Sequence, residues 1–125
     1  MIIGIGIDIV KIAKMEEVLT KWKHRFANRI FTEGERDYCV NRRLPSQHFA
    51  ARFAAKEAFL KALGAGMGAG IPWKDIEIIT NPVGSPSLEL HGKARESSCN
   101  KGVKKILVSL SHDDEHGVAE VVLEG

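Results

Sequence analysis

The first ten residues alternate in the way that a β-strand does, with one apolar face and one nearly bare face. The apolar face carries Ile3, Ile5, Ile7 and Ile9. The other face carries only Gly4, Gly6 and Asp8. Because glycine weakens a strand, two glycines on one face indicate close approach by another backbone or by a ligand. Asp8 is the one acid on that face, although an aspartate at a strand end commonly caps the next helix.

Downstream, the pattern predicts three helices, then two hairpins separated by a short helix. The predicted elements are a strand over Ile2–Val10, helices over Ile12–Ala27, Thr32–Arg42 and Ser46–Leu63, a hairpin of Ile76–Thr80 and Ser87–His91 around Asn81–Pro86, a short helix after Gly92, and a hairpin over Lys105–Leu123. Thr32 and Glu35 form a capping box that fixes the start of the second helix. Since helices and antiparallel pairs are segregated, the pattern indicates an α+β fold, an antiparallel sheet packed with helices around one long central helix.

The third predicted helix contains most of the segment RFAAKEAFLKALGAG, which runs from Arg52 to Gly66. This segment is alanine or apolar on nearly all sides of the helix. Small alanines form one stripe, large apolar residues lie opposite, and Glu57 and Lys61 share the flank between them. A carboxylate there is costly to desolvate unless a charge meets it. The alternative is an exposed Glu–Lys pair worth about 0.2–0.5 kcal/mol.

The last hairpin has an apolar face that ends in a histidine. Ile106, Val108, Leu110 and His112 project to one side, while Leu107, Ser109 and Ser111 project to the other. His112 is either a packed, hydrogen-bonded histidine or a functional one. The acidic turn that follows, Asp113 to Glu115, lacks the ligand spacing of a calcium loop and is interpreted as solvated.

Composition is that of an ordinary globular protein, and we expect a single domain over residues 1–125. Hydrophobic residues make up 44% and charged residues 27%. The sequence lacks a membrane-length apolar stretch and a signal peptide, which favours a cytoplasmic location. Cys39 and Cys99 are interpreted as free thiols. A net charge of +2 and 6% aromatics argue against a nucleic-acid partner.

Four segments together resemble the bacterial holo-[acyl-carrier-protein] synthase family, the small group of 4'-phosphopantetheinyl transferases. They are GIDIV with Asp8, the helix RFAAKEAFLKALGAG, the turn NPVGSP, and SLSH with His112. The resemblance implies that family's fold and the Mg²⁺-dependent transfer of 4'-phosphopantetheine from coenzyme A to a serine of acyl carrier protein, a step of fatty acid biosynthesis that releases 3',5'-ADP. It also implies a homotrimer with active sites at the subunit interfaces.

The resemblance also assigns roles to individual residues. Asp8 and Glu57 match the metal ligands, and Lys61 and His112 match contacts to the pyrophosphate, with a share of His112 in proton transfer left open. Positions that line the coenzyme A groove are matched by Arg52, Phe53, Gly64, Gly66 and Pro86. Arg42 and Arg43 are candidates for the ribose 3'-phosphate or else an ordinary solvated pair. Ser85 stands where the family often has a basic residue, which puts one phosphate contact in doubt.

The first predicted helix matches the surface with which the family meets an acidic helix of acyl carrier protein. The residues expected to contact the partner are Lys14, Val18, Lys21, Trp22, Arg25 and Phe26. A solvated basic face is the alternative. Lys14 stands where arginine is frequent, so the planar fork that recognises carboxylates is lost there.

One further alternative concerns activity. A structural or regulatory homologue that has lost catalysis would keep the fold and the interfaces. The joint presence of Asp8, Glu57, Lys61 and His112 argues against it, because a purely structural domain has no reason to hold two acids near one another.

Overall fold

One long helix lies across the face of a three-stranded sheet and organises the rest of the chain. The computed structural model describes residues 1–64 and 70–125. In chain order the elements are β1 (Ile2–Lys11), α1 (Ile12–Trp22), α2 (His24–Ile30), α3 (Glu33–Val40), α4 (Pro45–Leu63), a 3₁₀ turn (Trp73–Asp75), β2 (Ile76–Thr80), β3 (Pro86–Leu90), α5 (Gly92–Asn100), β4 (Lys105–His112) and β5 (His116–Glu124).

The strands form two antiparallel sheets, so the predicted α+β fold is confirmed. β5 lies in the middle of the larger sheet, between β1 and β4, and β2 pairs with β3 in a separate hairpin. Asp8 of β1 and Leu110 of β4 both lie opposite Ala119 of β5. Within residues 1–64 and 70–125, no helix is long and apolar enough to cross a membrane.

The glycine face of β1 packs directly on α4. A methyl group at Gly4 or Gly6 would overlap the backbone carbonyl oxygens of Ala62 and Ala58. Close approach of a second backbone therefore explains the two glycines. The same helix meets β5 at Gly117, where an added Cβ would lie 2.7 Å from the backbone nitrogen of Ala51.

The isoleucine face of β1 points away from α4 and is left uncovered. Ile5, Ile7 and Ile9 are 68%, 61% and 62% exposed. Ile3 does not share this face, because the register of the β1–β5 pair shifts between Ile2 and Gly4, and Ile3 packs against the core instead. The predicted alternation was therefore wrong at Ile3.

Helix α4 is buried nearly all round, as its sequence predicts. Its alanines face the sheet, and its large apolar residues pack with β2 and with the helices α1, α2 and α3. The buried apolar residues of this helix are Phe49, Ala50, Ala51, Ala54, Ala55, Ala58, Phe59, Leu60, Ala62 and Leu63.

The prediction of one helix over Ile12–Ala27 was wrong. The chain forms α1 and α2, which are separated at Lys23, a residue with φ of 49°. No glycine or proline marks the break, and apolar residues keep a helical period through it because both helices face the same core. Phe26 of α2 packs against Phe31 and Phe53, with ring centroids 6.3 and 6.1 Å apart.

A buried ion pair joins α3, α4 and β2. Lys56 Nζ lies 2.8 Å from Glu35 Oε1, and both side chains are fully buried. Lys56 also donates to the carbonyl oxygens of Trp73 and Ile76, and Glu35 Oε2 accepts from the backbone N–H of Ile78. The predicted capping box of Thr32 and Glu35 is confirmed. Glu35 therefore caps one helix and anchors a second.

Candidate active site

Asp8 forms the first half of a charged cluster on the glycine face of β1. Lys61 Nζ donates to Asp8 Oδ1 and to the carbonyl oxygen of Ile7, each at 3.0 Å. Asp8 does not cap the following helix, since α1 begins at Ile12 and its N-cap position, Lys11, has no side-chain cap hydrogen bond. Its carboxylate is therefore directed towards α4, where the glycines allow the helix to come close.

Glu57 completes this cluster from α4, one turn before Lys61. Burial raises the pKa of Glu57, and the nearby Asp8 carboxylate raises it further, while Lys61 acts in the opposite direction. The fold thus holds the Asp8 carboxylate close enough to Glu57 to disfavour ionisation of Glu57, with Lys61 paired to Asp8. Such an arrangement favours binding of an additional cation.

The donor set of this acidic cluster fits Mg²⁺. Magnesium usually takes one or two protein carboxylates and fills its other positions with water and phosphate oxygens. Asp8 and Glu57 supply two carboxylates, and among the described residues there is no group of three or more His, Cys, Asp or Glu side chains that could hold a metal by themselves. A metal at Asp8 and Glu57 would therefore need further oxygen ligands, such as those of a phosphate substrate.

A second cluster lies around a cavity of about 150 Å³ between α4, β3 and β4. Its lining includes Arg52, Thr80, Pro86 and His112. Arg52 is only 3% exposed. Its guanidinium donates to the hydroxyl of Thr80 and, at 3.3 Å, to the carbonyl oxygen of His48. His112 is exposed at the cavity mouth rather than packed in the core.

Positive charge is concentrated in this cavity. The guanidinium carbons of Arg42 and Arg52 each lie 4.1 Å from the centre of the Tyr38 ring. Within the part of the chain that the structure describes, no carboxylate makes an ion pair with either arginine. This cationic cavity, lined among others by His48, Arg52, Thr80 and His112, is therefore suited to an anion.

The two clusters are separate within one chain. Asp8 and Leu110 are two strand spacings apart across the sheet, or roughly 10 Å, and His112 lies two residues further along β4. Asp8, Glu57 and Lys61 are thus brought together on one side, and Arg42, Arg52, Pro86 and His112 on the other.

Two predicted groove residues, Phe53 and Gly64, and the predicted phosphate contact Arg43 do not line this cavity. Phe53 packs against Trp73, with ring centroids 5.3 Å apart, and does not line the cavity. Gly64 ends α4 with a φ of 74°. Arg43 is exposed. Gly66 lies outside the described residues.

The predicted partner surface is divided between α1 and α2. Lys14, Lys21 and Arg25 are exposed, and Trp22 is 48% exposed with Lys21 Nζ 5.6 Å from its ring. Val18 is half-buried. A cavity of about 320 Å³ is lined by Trp22, Arg25, Phe26 and Arg29. Arg29 was not predicted, because the predicted first helix ends at Ala27 whereas α2 continues to Ile30.

Several lining residues of the cationic cavity were missed from the sequence, among them His48, Tyr38 and Thr80. His48 precedes Arg52 by one helical turn, so the spacing on α4 is a signal that could have found it. Tyr38 and Thr80 come from α3 and β2, and nothing in their local sequence connects them with Arg52.

Comparison with known proteins adds the following. The model of the 4'-phosphopantetheinyl transferase superfamily matches residues 4–120. The chain is 49% identical over 125 residues to holo-[acyl-carrier-protein] synthase of Syntrophus aciditrophicus, covering 100% of this chain and 98% of that protein. The crystal structure of holo-[acyl-carrier-protein] synthase from Neisseria meningitidis superposes with a TM-score of 0.89 at 33% identity, covering 100% of both chains. The Helicobacter pylori enzyme in complex with coenzyme A has a TM-score of 0.84 at 33% identity, covering 96% of this chain and 99% of that chain.

Proposed function

The chain belongs to the 4'-phosphopantetheinyl transferase superfamily, and from this premise we propose that it transfers 4'-phosphopantetheine from coenzyme A to a serine of acyl carrier protein. The observation that carries the proposal is the cluster of Asp8, Glu57 and Lys61, which is suited to a metal-bound pyrophosphate. The alternative of an inactive structural homologue is not favoured, because it gives no reason to hold two carboxylates together.

The reaction joins the serine oxygen to the phosphorus on the pantetheine side of the pyrophosphate. The bond from that phosphorus to the bridging oxygen breaks, 3',5'-ADP leaves with the electron pair, and the serine hydroxyl releases its proton to solvent. Mg²⁺ held by Asp8 and Glu57 would neutralise charge on the pyrophosphate. Lys61, already beside Asp8, is placed to donate to a phosphate oxygen and hold the pyrophosphate in line.

The cationic cavity is assigned to the nucleotide part of the donor. Arg52, Pro86 and His112 line the cavity, and Arg42 lies beside it on the ring of Tyr38. Neither guanidinium has a carboxylate partner among the described side chains. Guanidinium groups bind phosphate oxygens through paired hydrogen bonds. His112 at the cavity mouth is assigned to the pyrophosphate.

Assembly as a homotrimer would unite the two clusters. The outer face of the sheet is apolar and uncovered, and a cavity of about 430 Å³ lined by Ile5, Ile7 and Glu120 extends to Lys61. A neighbouring subunit seated on this face would bring its own residues beside the acidic cluster. We assign each active site to the acidic cluster of one subunit, formed by Asp8, Glu57 and Lys61, and the cationic cavity of the next subunit.

Acyl carrier protein is assigned to the surface of α1 and α2. Exposed Lys14, Lys21 and Arg25 give a basic stripe, and Trp22 supplies apolar area beside it. An acidic helix with an apolar edge complements both features. We further propose one domain over residues 1–125 and a cytoplasmic enzyme of fatty acid biosynthesis.

The test is a mass measurement on the acceptor. Apo-acyl carrier protein incubated with this protein, coenzyme A and Mg²⁺ should gain the mass of one phosphopantetheine group. The same acceptor with its serine replaced by alanine should gain nothing, and EDTA should stop the reaction. A folded protein that leaves apo-acyl carrier protein unmodified would instead support the inactive homologue.

A further inference from the structure

His48 lies in the cationic cavity and has no role in the proposed reaction so far. It stands on α4, one turn before Arg52, and its ring is half-buried. Its ring centroid is 5.7 Å from that of Tyr38 and 6.4 Å from that of His112. The cavity of about 150 Å³ that it lines is therefore bordered by two imidazoles and the guanidinium of Arg52.

The positive charge of Arg52 is not balanced by a negative charge from the described side chains around this cavity. Arg52 is only 3% exposed, and its buried Nε has no hydrogen-bond partner among residues 1–64 and 70–125. A buried cation is costly unless an anion or a full set of acceptors meets it. The described residues provide the side-chain hydroxyl of Thr80 and the backbone carbonyl oxygen of His48 for Arg52, but no carboxylate. A ligand anion is thus the missing partner.

We propose that His48 determines donor specificity: its imidazole contacts the phosphate monoester of the donor nucleotide and takes up a proton when that monoester binds. The inference rests on the proposed function, because it assumes a coenzyme A donor. A phosphate monoester has three free oxygens and a second pKa near 6, so it is largely a dianion above neutral pH. A phosphodiester-like pyrophosphate offers fewer free oxygens for each phosphorus.

The surroundings of His48 set the direction of its titration. Burial lowers the pKa of His48, and the positive charges of Arg52, His112 and Arg42 lower it further. The groups that face it are Tyr38 of α3, Arg42 of the following turn, Arg52 of its own helix and His112 of β4. Its imidazole is therefore neutral near pH 7 in the free protein. A dianion in the cavity reverses the sign of the local field, so binding draws a proton onto the ring.

The experiment compares two nucleotides that differ in one phosphate. Calorimetric titration of the full chain with 3',5'-ADP and with 5'-AMP, between pH 6.5 and 8.5, gives the contribution of the 3'-phosphate. Repeating each titration in buffers of different ionisation enthalpy gives the protons taken up. The variants are His48→Gln, and His48→Phe, which keeps a ring against Tyr38. The matched control is His24→Gln, since His24 is exposed on α2.

We expect the wild type to prefer 3',5'-ADP by at least about tenfold at pH 6.5, with a preference that declines as pH rises and with net proton uptake. Both His48 variants should lose most of that preference and most of the uptake, while 5'-AMP binds as before and His24→Gln matches the wild type. Unchanged preference and uptake in the His48 variants would overturn the inference. So would equal binding of the two nucleotides by the wild type.

Failure of this inference is distinguishable from failure of the proposed function. The same preparations are assayed for transfer from coenzyme A to acyl carrier protein. A wild type that transfers while His48→Gln keeps the full preference for 3',5'-ADP rejects the role of His48 alone. A wild type that neither transfers nor binds coenzyme A rejects both.

Discussion

At the scale of single residues, Glu57 is the position where function and stability oppose each other. Its carboxylate is partly buried beside Asp8, and both effects raise its pKa. For an acid with a raised folded-state pKa, the protonated form is favoured by folding. Its stabilising contribution is complete below the ordinary pKa of glutamate and is lost as pH rises through the higher folded-state value. Near neutral pH, the metal-free protein therefore bears an unfavourable charge at Glu57.

Replacing Glu57 with glutamine should remove that charge and the proposed metal ligand together. We expect Glu57→Gln to raise the Tm of the metal-free protein at pH 7.5 by about 1–3 °C, with less gain at pH 4.5, because neutral glutamine mimics the protonated acid. Transfer activity should fall at least about 100-fold, with partial rescue by excess Mg²⁺. Thermal scans at both pH values and the mass assay check this.

Asp8→Asn is the matched comparison, since it also removes a proposed ligand but breaks the pair with Lys61. It should lose activity similarly without gaining stability. Full activity of either variant at low Mg²⁺ would contradict the shared metal site.

At the scale of elements, two features of the helices position the charged clusters and the basic surface. Helix α4 carries Arg52 towards the cationic cavity and Glu57 and Lys61 towards Asp8. It reaches β1 only because Gly4 and Gly6 present no side chain to it. The break at Lys23 lets α1 and α2 share one surface, which carries the basic residues and the exposed Trp22.

Charge reversal on α1 and α2 tests that surface. Lys14→Glu, Lys21→Glu or Arg25→Glu should raise the apparent KM for acyl carrier protein several-fold and weaken its salt dependence, since steering by opposite charge is screened by ions. The KM for coenzyme A should stay nearly unchanged. Steady-state kinetics at two ionic strengths measure both.

Lys104→Glu is the control for these reversals, because Lys104 is exposed and lies just before β4, away from α1 and α2. Its kinetics should match those of the wild type. Equal loss of affinity for both substrates, or no loss for either, would move the docking site elsewhere.

At the scale of the whole molecule, the separation of the two clusters and the uncovered apolar face of the sheet have one common explanation in the proposed homotrimer. A single chain exposes Ile5, Ile7 and Ile9 in a row and holds its acidic cluster apart from its cationic cavity. A neighbouring subunit seated on the row of isoleucines would bury this apolar surface, which drives association. It would also bring its own cationic cavity beside the acidic cluster.

Mixed assemblies provide the decisive measurement. Glu57→Gln and His112→Ala should each be inactive alone. Unfolded, mixed in equal amounts and refolded together, they should recover about one quarter of wild-type activity, since random assortment gives one intact interface in four. Sites formed within one chain would recover none.

Sedimentation provides a second measure of assembly. Ile5→Glu should shift the protein from trimer towards monomer and lower its activity in parallel. Val83→Glu, at an apolar residue that is 96% exposed in the turn between β2 and β3, should leave the sedimentation coefficient unchanged. An active monomer would contradict the proposed assembly.

Local periodicity and capping in the amino-acid sequence were enough to predict several elements. Alternation predicted β1 and the last hairpin, alanine spacing predicted α4, and Thr32 with Glu35 predicted the start of α3. The placement of Glu57 and Lys61 one turn apart on a buried helix also follows from the 3.6-residue repeat. These properties involve neighbours in the chain, so the chain alone encodes them.

Features that depend on contacts between residues distant in sequence are set by the tertiary structure. Only the fold brings Tyr38, His48 and Thr80 around Arg52, and only the fold pairs Lys56 with Glu35. The break at Lys23 and the inward turn of Ile3 have no local signal, because each results from packing against a surface built by other elements. The apolar face of β1 likewise looks like core in the sequence, and its exposure is decided by which side α4 covers.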